Sequence, residues 1–431
     1  MRPCRILFAC PQTLFDVSNG ASLQCSVMLW ALARAGVECM SIGGGIFDNP
    51  SGLARIPDLA EQIRANQGRD ILVNTDYSAG KDRPIRHCFF TGFKSTVWQD
   101  MTLREAGKFL IEFIKVIRSF KPDLIIGYGC DPLCRSMWQE ARLFGIPVAY
   151  LIVNGNHKNF RFPLHDILIT DSQATSDFYR RVEHLKVEPY GICINPAAVV
   201  AQTKIDDFVT FINPSWAKGT SAVARLILMA NKERPDIRFQ IVETREKFVT
   251  ALQALRNPGE PVGTAFRGQT FNNVAIRPAT ARVSEIYAST GVLLAPSFWY
   301  ESWGRVATEA VMNGIPVLAS DRGGLPEAVN GGGYNLPLPP SITEDSESWT
   351  VLPTEEEMRP WADRLYELYD NRAAWREKCL KAAEGLSPDV SAQRLLRILK
   401  PLLDRRAGDG PDFNIRGSVR FSEDPLPELQ E

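Results

Sequence analysis

The chain has 431 residues, more than one ordinary hydrophobic core takes, and this length predicts two or three domains. Its formal net charge is −1, and its 23% charged and 45% apolar residues are ordinary for a globular protein. This balance excludes a globally basic nucleic-acid-binding protein, so any anion-binding site must be local.

The nine cysteines are scattered along the chain, with no C-x-x-C pair and no histidine cluster at zinc spacing. We therefore expect no metal and no other cofactor. Several cysteines lie in apolar runs, which favours a reducing cytoplasm. We also expect no signal peptide, and no stretch approaches the ~20 apolar residues that span a bilayer.

The N-terminal half alternates apolar strands with helical patterns, as parallel α/β sheets do. A strand is predicted at residues 5–10 and the next helix at residues 23–35. The loop between them carries Asp16, Asn19 and Gly20, and such a loop often faces the cleft of an open sheet. Gly20 would let the backbone approach a phosphate closely, with a simple turn glycine as the alternative.

The middle of this half is irregular. Residues 47–92 show little periodicity beyond short strands at residues 71–74 and 87–90, which suits a recognition surface. An amphipathic helix is predicted at residues 103–120. Residues 81–121 hold nine Lys or Arg against four Asp or Glu. This basic segment fits a role at a membrane surface or with an anionic ligand, or else the solvated face of a core helix.

Two later strands end in polar loops that we expect at the same cleft. A strand at residues 123–127 is followed by Asp131. A strand at residues 147–153 is followed by Asn154 and His157.

The domain boundaries follow from these patterns. A strand at residues 167–170 is predicted as the last of the N-terminal domain, residues 1–200. A second α/β unit is predicted at residues 201–388 and a closing helix that returns to the N-terminal domain at residues 389–404. Residues 405–431 are rich in Gly, Pro and acids and predict a disordered tail.

The second unit opens with a strand at residues 208–212 and a loop that carries Asn213, Ser215 and Lys218. Lys218 is the single cation in the chain that most strongly indicates a local anion-binding site. The alternative is that it is an ordinary exposed lysine in a loop. A later strand of this unit ends at Arg277.

The densest pattern is PSFWYESWGRVATEAVMNGIPVLASDRGGLPE, residues 296–327. It predicts a strand that ends before Pro296, a helix at residues 304–312 capped by Ser302, and a further strand at residues 315–320. This order of elements belongs to a parallel sheet, which binds ligands outside the carboxyl ends of its strands.

Two acids bracket the start of that helix: Glu301 precedes it and Glu309 lies about two turns into it. The free backbone N–H groups around Gly304, Arg305 and Val306, with the positive end of the helix dipole, suit a diphosphate. A carboxylate at Glu309 suits two ribose hydroxyls, and one at Glu301 suits sugar hydroxyls. A solvated helix face is the structural alternative.

Glu301 and Glu309, with seven residues between them, resemble the paired-glutamate motif of the family 4 retaining glycosyltransferases. GRVATEAVMNGIPVLAS and GGLPE are similar to that family's C-terminal signature. The resemblance is dense over residues 273–327, looser over residues 208–242 and only architectural in the N-terminal half. It implies an α/β fold of the GT-B type, with two doubly wound Rossmann-like domains facing a central cleft.

The resemblance also implies an activity. A hexose-type sugar would move from a nucleoside diphosphate sugar, with a UDP-sugar favoured, to a hydroxyl acceptor with retained configuration and without a metal. The catalytic residues it implies are Glu301, Lys218 and Arg305. The donor-binding residues are Gly20, Asn213, Ser215, Lys218, Arg277, Ser302, Trp303, Gly304, Arg305, Val306 and Glu309. The acceptor-side residues are Asp16, Asn19, Asp131, Asn154 and His157.

The sequence departs from the family pattern in the C-terminal domain, which the resemblance predicts to bind the donor. Family members usually carry an arginine five or six residues before the lysine that Lys218 matches, and here Asn213 stands in that region. The missing cation could come from elsewhere in the chain, from Arg305, Arg277 or Arg245.

Two further departures lie in the N-terminal half. Many family members carry a histidine at the position of Val153, so His157 either replaces it by a different loop path or is an ordinary loop histidine. A glycine pair is common where this chain has Gly20 and Ala21.

Other functions stay open. One is a non-catalytic GT-B scaffold that binds a glycan or a partner glycosyltransferase, and another is a sugar-nucleotide epimerase or phosphorylase. The acceptor stays open among a polysaccharide, a lipid carrier, a protein side chain and a small metabolite. We expect a cytoplasmic location, with peripheral contact at the inner face of the membrane as an alternative.

Overall fold

The computed structural model describes residues 3–16, 19–47, 57–77, 84–95, 97–154, 157, 159–244, 246–266, 271–280 and 282–408. The elements of the N-terminal half are, in order, β1 (Arg5–Ala9), α1 (Gly20–Arg34), β2 (Glu38–Gly44), α2 (Pro57–Asn66), β3 (Leu72–Tyr77), β4 (Ile85–Phe90), α3 (Leu103–Phe120), β5 (Leu124–Gly127), α4 (Pro132–Leu143), β6 (Val148–Ile152), β7 (Ile167–Thr170), α5 (Gln173–Val182), β8 (Glu188–Pro189) and α6 (Pro196–Val199).

The first sheet has the described strand order β3-β4-β2-β1-β5-β6-β7-β8. All neighbours are parallel except β3, which runs antiparallel to β4. Strand β1 sends Ile6 and Phe8 to a core under α1 and sends Leu7 to a core under α3 and α4. Because helices cover both faces, the central strands are continuous apolar runs.

The second sheet belongs to the C-terminal half. Its elements are β9 (Phe208–Ile212), α7 (Thr220–Glu233), β10 (Arg238–Glu243), α8 (Phe248–Gln253), β11 (Val274–Pro278), α9 (Ser284–Ala288), β12 (Thr290–Ala295), α10 (Arg305–Met312), β13 (Val317–Ser320), α11 (Leu325–Val329), β14 (Gly333–Leu336), α12 (Glu355–Asp370), α13 (Arg372–Glu384) and α14 (Pro388–Gly408). Its described strands are all parallel, in the order β11-β10-β9-β12-β13-β14.

The last helix, α14, crosses back to the N-terminal half. Ala392, Leu395 and Leu399 are buried in the same core as Met28 of α1. The hydroxyl of Ser391 donates to the carbonyl of Ile192 at 2.6 Å. The C-terminal segment therefore packs on the first domain, and α14 runs on to Gly408, past the predicted start of the tail at residue 405. Residues 409–431 lie outside the described part of the chain.

Helix α3 has the predicted bounds, residues 103–120, because a capping box of Thr102 and Glu105 marks its start. Helix α1 begins at Gly20, three residues earlier than predicted. The reason is Asn19, whose side-chain oxygen accepts from the backbone N–H of Ala21 at 2.8 Å and caps the helix.

Two other predictions about elements are wrong. Strand β7 is not the last of the first sheet, because the short strand β8 pairs with it in parallel. Ser302 does not cap α10. Gly304 is the residue before that helix, with a φ of 111°, and a Cβ added there would lie 2.6 Å from Cδ2 of Leu325. Both the backbone conformation and the space require glycine.

Candidate active site

The carboxyl ends of the two sheets face a common cleft of about 1630 Å³, which is larger than the ~300–1,000 Å³ of a typical small-molecule pocket. It is lined by the starts of α1 and α4, the exits of β6 and β9, and the loop between β12 and α10. Of the residues singled out from the sequence, the cleft is lined by Asn19, Gly20, Asp131, Asn154, His157, Asn213, Lys218, Glu301, Ser302, Trp303, Gly304, Arg305, Val306 and Glu309.

Three candidates do not line the cleft. Asp16 is fully buried beside the turn before α1, where its carbonyl accepts from Asn19. Ser215 begins a short turn, and its carbonyl accepts from the N–H of Lys218 at 3.0 Å. Arg277 lies on β11, the edge strand of the second sheet. Arg245 lies outside the described residues.

Lys218 and Glu301 meet although they come from different loops. The ammonium group of Lys218 forms an ion pair with Oε1 of Glu301, and the hydroxyl of Ser297 donates to the same oxygen at 2.7 Å. Gly219 makes this approach possible, because a Cβ there would lie 2.2 Å from the carbonyl oxygen of Pro296. The loop after β9 therefore packs directly on the loop after β12.

A second ion pair lies at the start of α10. Arg305 donates to Oε1 of Glu309 at 3.1 Å, and Tyr287 donates to Oε2 of Glu309 at 2.8 Å. Burial raises the pKa of Tyr287 well above its ordinary value, which keeps its hydroxyl a donor. A Cβ added at Gly20 would lie 3.5 Å from Cδ of Arg305, so α1 of the other domain approaches this pair closely.

Several lining residues also have structural roles. The side-chain oxygen of Asp131 accepts from the N–H groups of Leu133 and Cys134 at 2.9 and 3.2 Å, and so caps α4. Trp303 is buried in the core of the second domain and its indole N–H donates to Thr308 at 2.8 Å.

His157 lies at the edge of the cleft, next to aromatic side chains. Its Nε2 is 3.5 Å from the hydroxyl of Tyr150, and its ring packs against Phe162. Burial lowers the pKa of His157, which favours a neutral ring. Val153, the position at which the family pattern places a histidine, also lines the cleft.

Sequence reasoning missed two residues of this site. Tyr287 gives no sequence signal, because its partner Glu309 is brought to it only by the packing of α9 against α10. Asp171 follows β7 at the carboxyl edge of the sheet, and that position is a signal that could have identified it. It is buried, lines the cleft and accepts from the hydroxyl of Ser302 at 3.3 Å. Burial raises the pKa of Asp171 to about 7.

Residues 272–346 match the family model described as glycosyl transferases group 1. Over this segment the chain is therefore similar to a family of glycosyltransferases. The paired glutamates, the start of α10 and the glycine turn after β13 all lie in the matched segment, so the resemblance found in the sequence is confirmed.

Two curated glycosyltransferases match part of the chain. D-inositol 3-phosphate glycosyltransferase from Mycobacteroides abscessus is 31% identical over 151 residues, 35% of this chain and 30% of that protein. The enzyme of the same description from Nocardia farcinica is 35% identical over 118 residues, 27% of this chain and 23% of that protein. The matches therefore span less than a third of these relatives.

Solved structures share the fold over most of the chain. A glycosyltransferase from Rickettsia africae has a TM-score of 0.61 at 11% identity and covers 94% of this chain and 100% of its own. Alr3699/HepE from Anabaena, in complex with UDP and glucose, has a TM-score of 0.59 at 14% identity over 92% and 99%. The pneumococcal O-GlcNAc transferase GtfA, in complex with UDP and GlcNAc, has a TM-score of 0.59 at 12% identity over 94% and 100%. The predicted GT-B fold is confirmed.

Two searches of the described residues bear on other expectations. No helix among them is long and apolar enough to cross a membrane. No group of three or more His, Cys, Asp or Glu among them is placed to hold a metal ion.

Proposed function

We propose that the chain transfers a hexose-type sugar from a UDP-sugar or a related nucleotide sugar to a hydroxyl acceptor, with the anomeric configuration retained and without a metal. One observation carries the proposal. Two ion pairs, Lys218 with Glu301 and Arg305 with Glu309, line the same cleft on either side of the start of α10. The bound UDP in two structures of the same fold supports the choice of donor.

The ion pairs suggest how a donor would bind. A diphosphate at the start of α10 would draw Lys218 and Arg305 toward its oxygens, because its two negative charges would lie together at the positive end of the helix dipole, between the two cations. Glu301 would then be released to accept from sugar hydroxyls, and Glu309 from ribose hydroxyls. The carboxylates thus balance the cations before the donor binds and hold the donor's hydroxyls afterwards.

Catalysis in this proposal is electrostatic and positional. As the bond between the anomeric carbon and the diphosphate breaks, negative charge grows on the leaving oxygen. Lys218, Arg305 and the backbone N–H groups at the start of α10 line the cleft and would stabilise this charge. The same leaving oxygen would accept the proton of the attacking hydroxyl, which enters from the same face. Transfer that survives EDTA is expected, whereas a loss that Mg²⁺ restores would contradict the metal-free scheme.

The chemistry of the cysteines supports a reducing compartment. Of the nine cysteines, all except Cys4 and Cys130 are buried. Burial raises the pKa of several of these thiols, for example Cys10 to about 12, so they act as small apolar side chains. We place the protein in the reducing cytoplasm, in the synthesis of a glycan or glycoconjugate.

A thermal-shift screen tests donor binding without knowledge of the acceptor. UDP-, GDP-, ADP- and dTDP-sugars are added in turn, because a ligand that binds only the folded chain raises the melting temperature. We expect a UDP-sugar to give the largest rise, and Lys218→Ala to abolish it. Lys232→Ala, which removes an exposed lysine on α7, is the matched control and should keep the rise. No rise with any donor would contradict the proposal.

A second candidate is a GT-B scaffold that binds a partner or a glycan without catalysis. Asn213 favours it, because this residue stands where family members usually carry a second cation for the diphosphate. Donor consumption separates the two functions, since a scaffold consumes none. Incubation with the donor alone, analysed for an epimer or for dependence on phosphate, also distinguishes an epimerase or phosphorylase.

A further inference from the structure

Glu327, the last residue of the GGLPE segment, reaches across the domain boundary. It lies on α11 of the second domain, and its carboxylate accepts from two backbone N–H groups of the first domain. Oε2 accepts from Gln173 at 2.8 Å, and Oε1 accepts from Ala174 at 2.9 Å. These two residues begin α5. The function proposed above makes no use of this contact.

The start of α5 is thus capped by both domains. The first N–H groups of any helix have no partner within the helix. In α5, Ser172 supplies one partner, because its hydroxyl accepts from Thr175 at 3.0 Å. Glu327 accepts from two more of these groups, and its negative charge lies at the positive end of the helix dipole. Hydrogen bonds to a carboxylate are stronger than neutral ones, so this cap favours contact between the domains.

The same contact fixes the loop between β12 and α10, which carries Glu301. The hydroxyl of Tyr300 donates to the carbonyl of Ala174 at 2.9 Å, and the Tyr300 ring packs on Phe178 of α5 at 5.4 Å. The hydroxyl of Thr175 donates to the carbonyl of Ser302 at 3.4 Å. The residues on both sides of Glu301 are therefore held by α5.

The glycine turn after β13 lies between these parts. The N–H of Gly324 donates to the carbonyl of Glu301 at 2.8 Å. A Cβ added at Gly324 would lie 2.4 Å from the carbonyl oxygen of Ser302 and 3.0 Å from Cβ of Ser172. The turn, the loop and the cap of α5 thus form one packed contact across the domain boundary.

We propose that Glu327 is a positioning residue that holds the two domains together by capping α5 and thereby aligns Glu301 in the cleft. The cap holds α11 of the second domain against the start of α5 in the first domain. It thereby orders the loop between β12 and α10. The effect on turnover rests on the function proposed above, whereas the contact between the domains does not.

The test uses the full chain and compares Glu327→Gln with the wild type. Glutamine has the same shape, but it offers one accepting oxygen in place of two and carries no charge. Glu377→Gln is the matched control, because it removes a negative charge from an exposed position on α13. Amide hydrogen exchange is followed by mass spectrometry in peptides that cover residues 170–180, and small-angle scattering gives the radius of gyration.

In Glu327→Gln we expect exchange at the start of α5 to accelerate about tenfold or more, and the radius of gyration to increase. The control should match the wild type in both. Tyr300→Phe, which removes only the bond to Ala174, should change both quantities in the same direction by less. Unchanged exchange and scattering in Glu327→Gln would overturn the proposal. A circular dichroism spectrum equal to that of the wild type shows that Glu327→Gln is folded. If Glu327→Gln does not fold, the exchange and scattering of Tyr300→Phe decide the proposal.

Turnover gives a third measurement. With a donor that the wild type consumes, Glu327→Gln should lower kcat about tenfold and change KM for the donor little, because Glu301 is misplaced while the diphosphate site is kept. A rise in KM at constant kcat would contradict the positioning role. A wild type that consumes no donor would contradict the proposed function, and exchange and scattering would still decide whether Glu327 joins the domains.

Discussion

Arg305 donates to Glu309 across one turn of α10, at 3.1 Å, and both side chains line the cleft. The pair is well shielded from water, with 20% of the Arg305 side chain and 9% of the Glu309 side chain exposed. A cation and an acid proposed to bind different parts of one donor therefore contact each other directly. Variants of either residue should change donor binding and not only folding.

Arg305→Ala should lower kcat/KM for the nucleotide sugar about 10- to 100-fold, because it removes a donor aimed at the growing charge of the leaving group. Arg364→Ala is the matched control, since it removes an arginine that pairs with Glu367 on α12, outside the cleft. Steady-state kinetics of both variants make the comparison. Unchanged donor affinity and turnover in Arg305→Ala would remove Arg305 from the site and leave Lys218 as the proposed cation.

Tyr287→Phe should raise KM for the donor several-fold and leave kcat almost unchanged. The hydroxyl of Tyr287 donates to Oε2 of Glu309, and without it the carboxylate loses one of the two bonds that orient it toward the ribose. Tyr366→Phe removes a similar bond to Glu233 outside the cleft and should leave KM unchanged. Equal KM values in both variants would argue against a role of Glu309 in ribose binding.

Asp171 should make the stability of the chain depend on pH. Burial raises the pKa of Asp171 from its ordinary value of 3.8 to about 7. Between these values the folded chain binds more protons than the unfolded chain, so stability falls as the pH rises. Over the whole range between the two pKa values, the free energy of unfolding falls by about 4 kcal/mol.

Asp171→Asn removes the free-energy cost of ionising this buried carboxyl group. The amide oxygen of the new side chain can still accept from the hydroxyl of Ser302. Its melting temperature should exceed that of the wild type by more at pH 8 than at pH 5, as scanning calorimetry can measure. Asp363→Asn, at an exposed position on α12, should show the same difference at both pH values. A pH-independent difference for Asp171→Asn would mean that Asp171 is ionised throughout.

The sequence predicted α3 and the order of elements around residues 296–327 because local signals fix them: a capping box, an apolar stripe and glycines at turns. It misplaced the start of α1, because the cap at Asn19 begins that helix at Gly20, three residues before its predicted start. It assigned the cap of α10 to Ser302, whose hydroxyl instead contacts Asp171 of the other domain. Contacts across the cleft depend on how two domains meet, and no local pattern encodes that.

Gly304→Ala should destabilise the second domain by several kcal/mol. The left-handed conformation costs roughly 1–2 kcal/mol for a residue with a Cβ, and the added carbon would also collide with Leu325. Gly107→Ala on α3 is the control and should stabilise the chain. No atom outside its own helix lies within 4 Å of a Cβ added there, and alanine favours a helix over glycine by about 1 kcal/mol. Chemical denaturation measures both, and equal stability of the two variants would contradict the backbone assigned to Gly304.

The proposed donor site depends most directly on Glu301, which pairs with Lys218 in the cleft. The decisive measurement is the rate at which the full chain consumes its nucleotide sugar, compared between the wild type and Glu301→Gln. The variant keeps the size of the side chain and loses the charge that pairs with Lys218 and would hold the sugar. We predict consumption by the wild type and a loss of about 100-fold or more in the variant. A variant within about twofold of the wild type, or a wild type that consumes no nucleotide sugar, would contradict the proposed site.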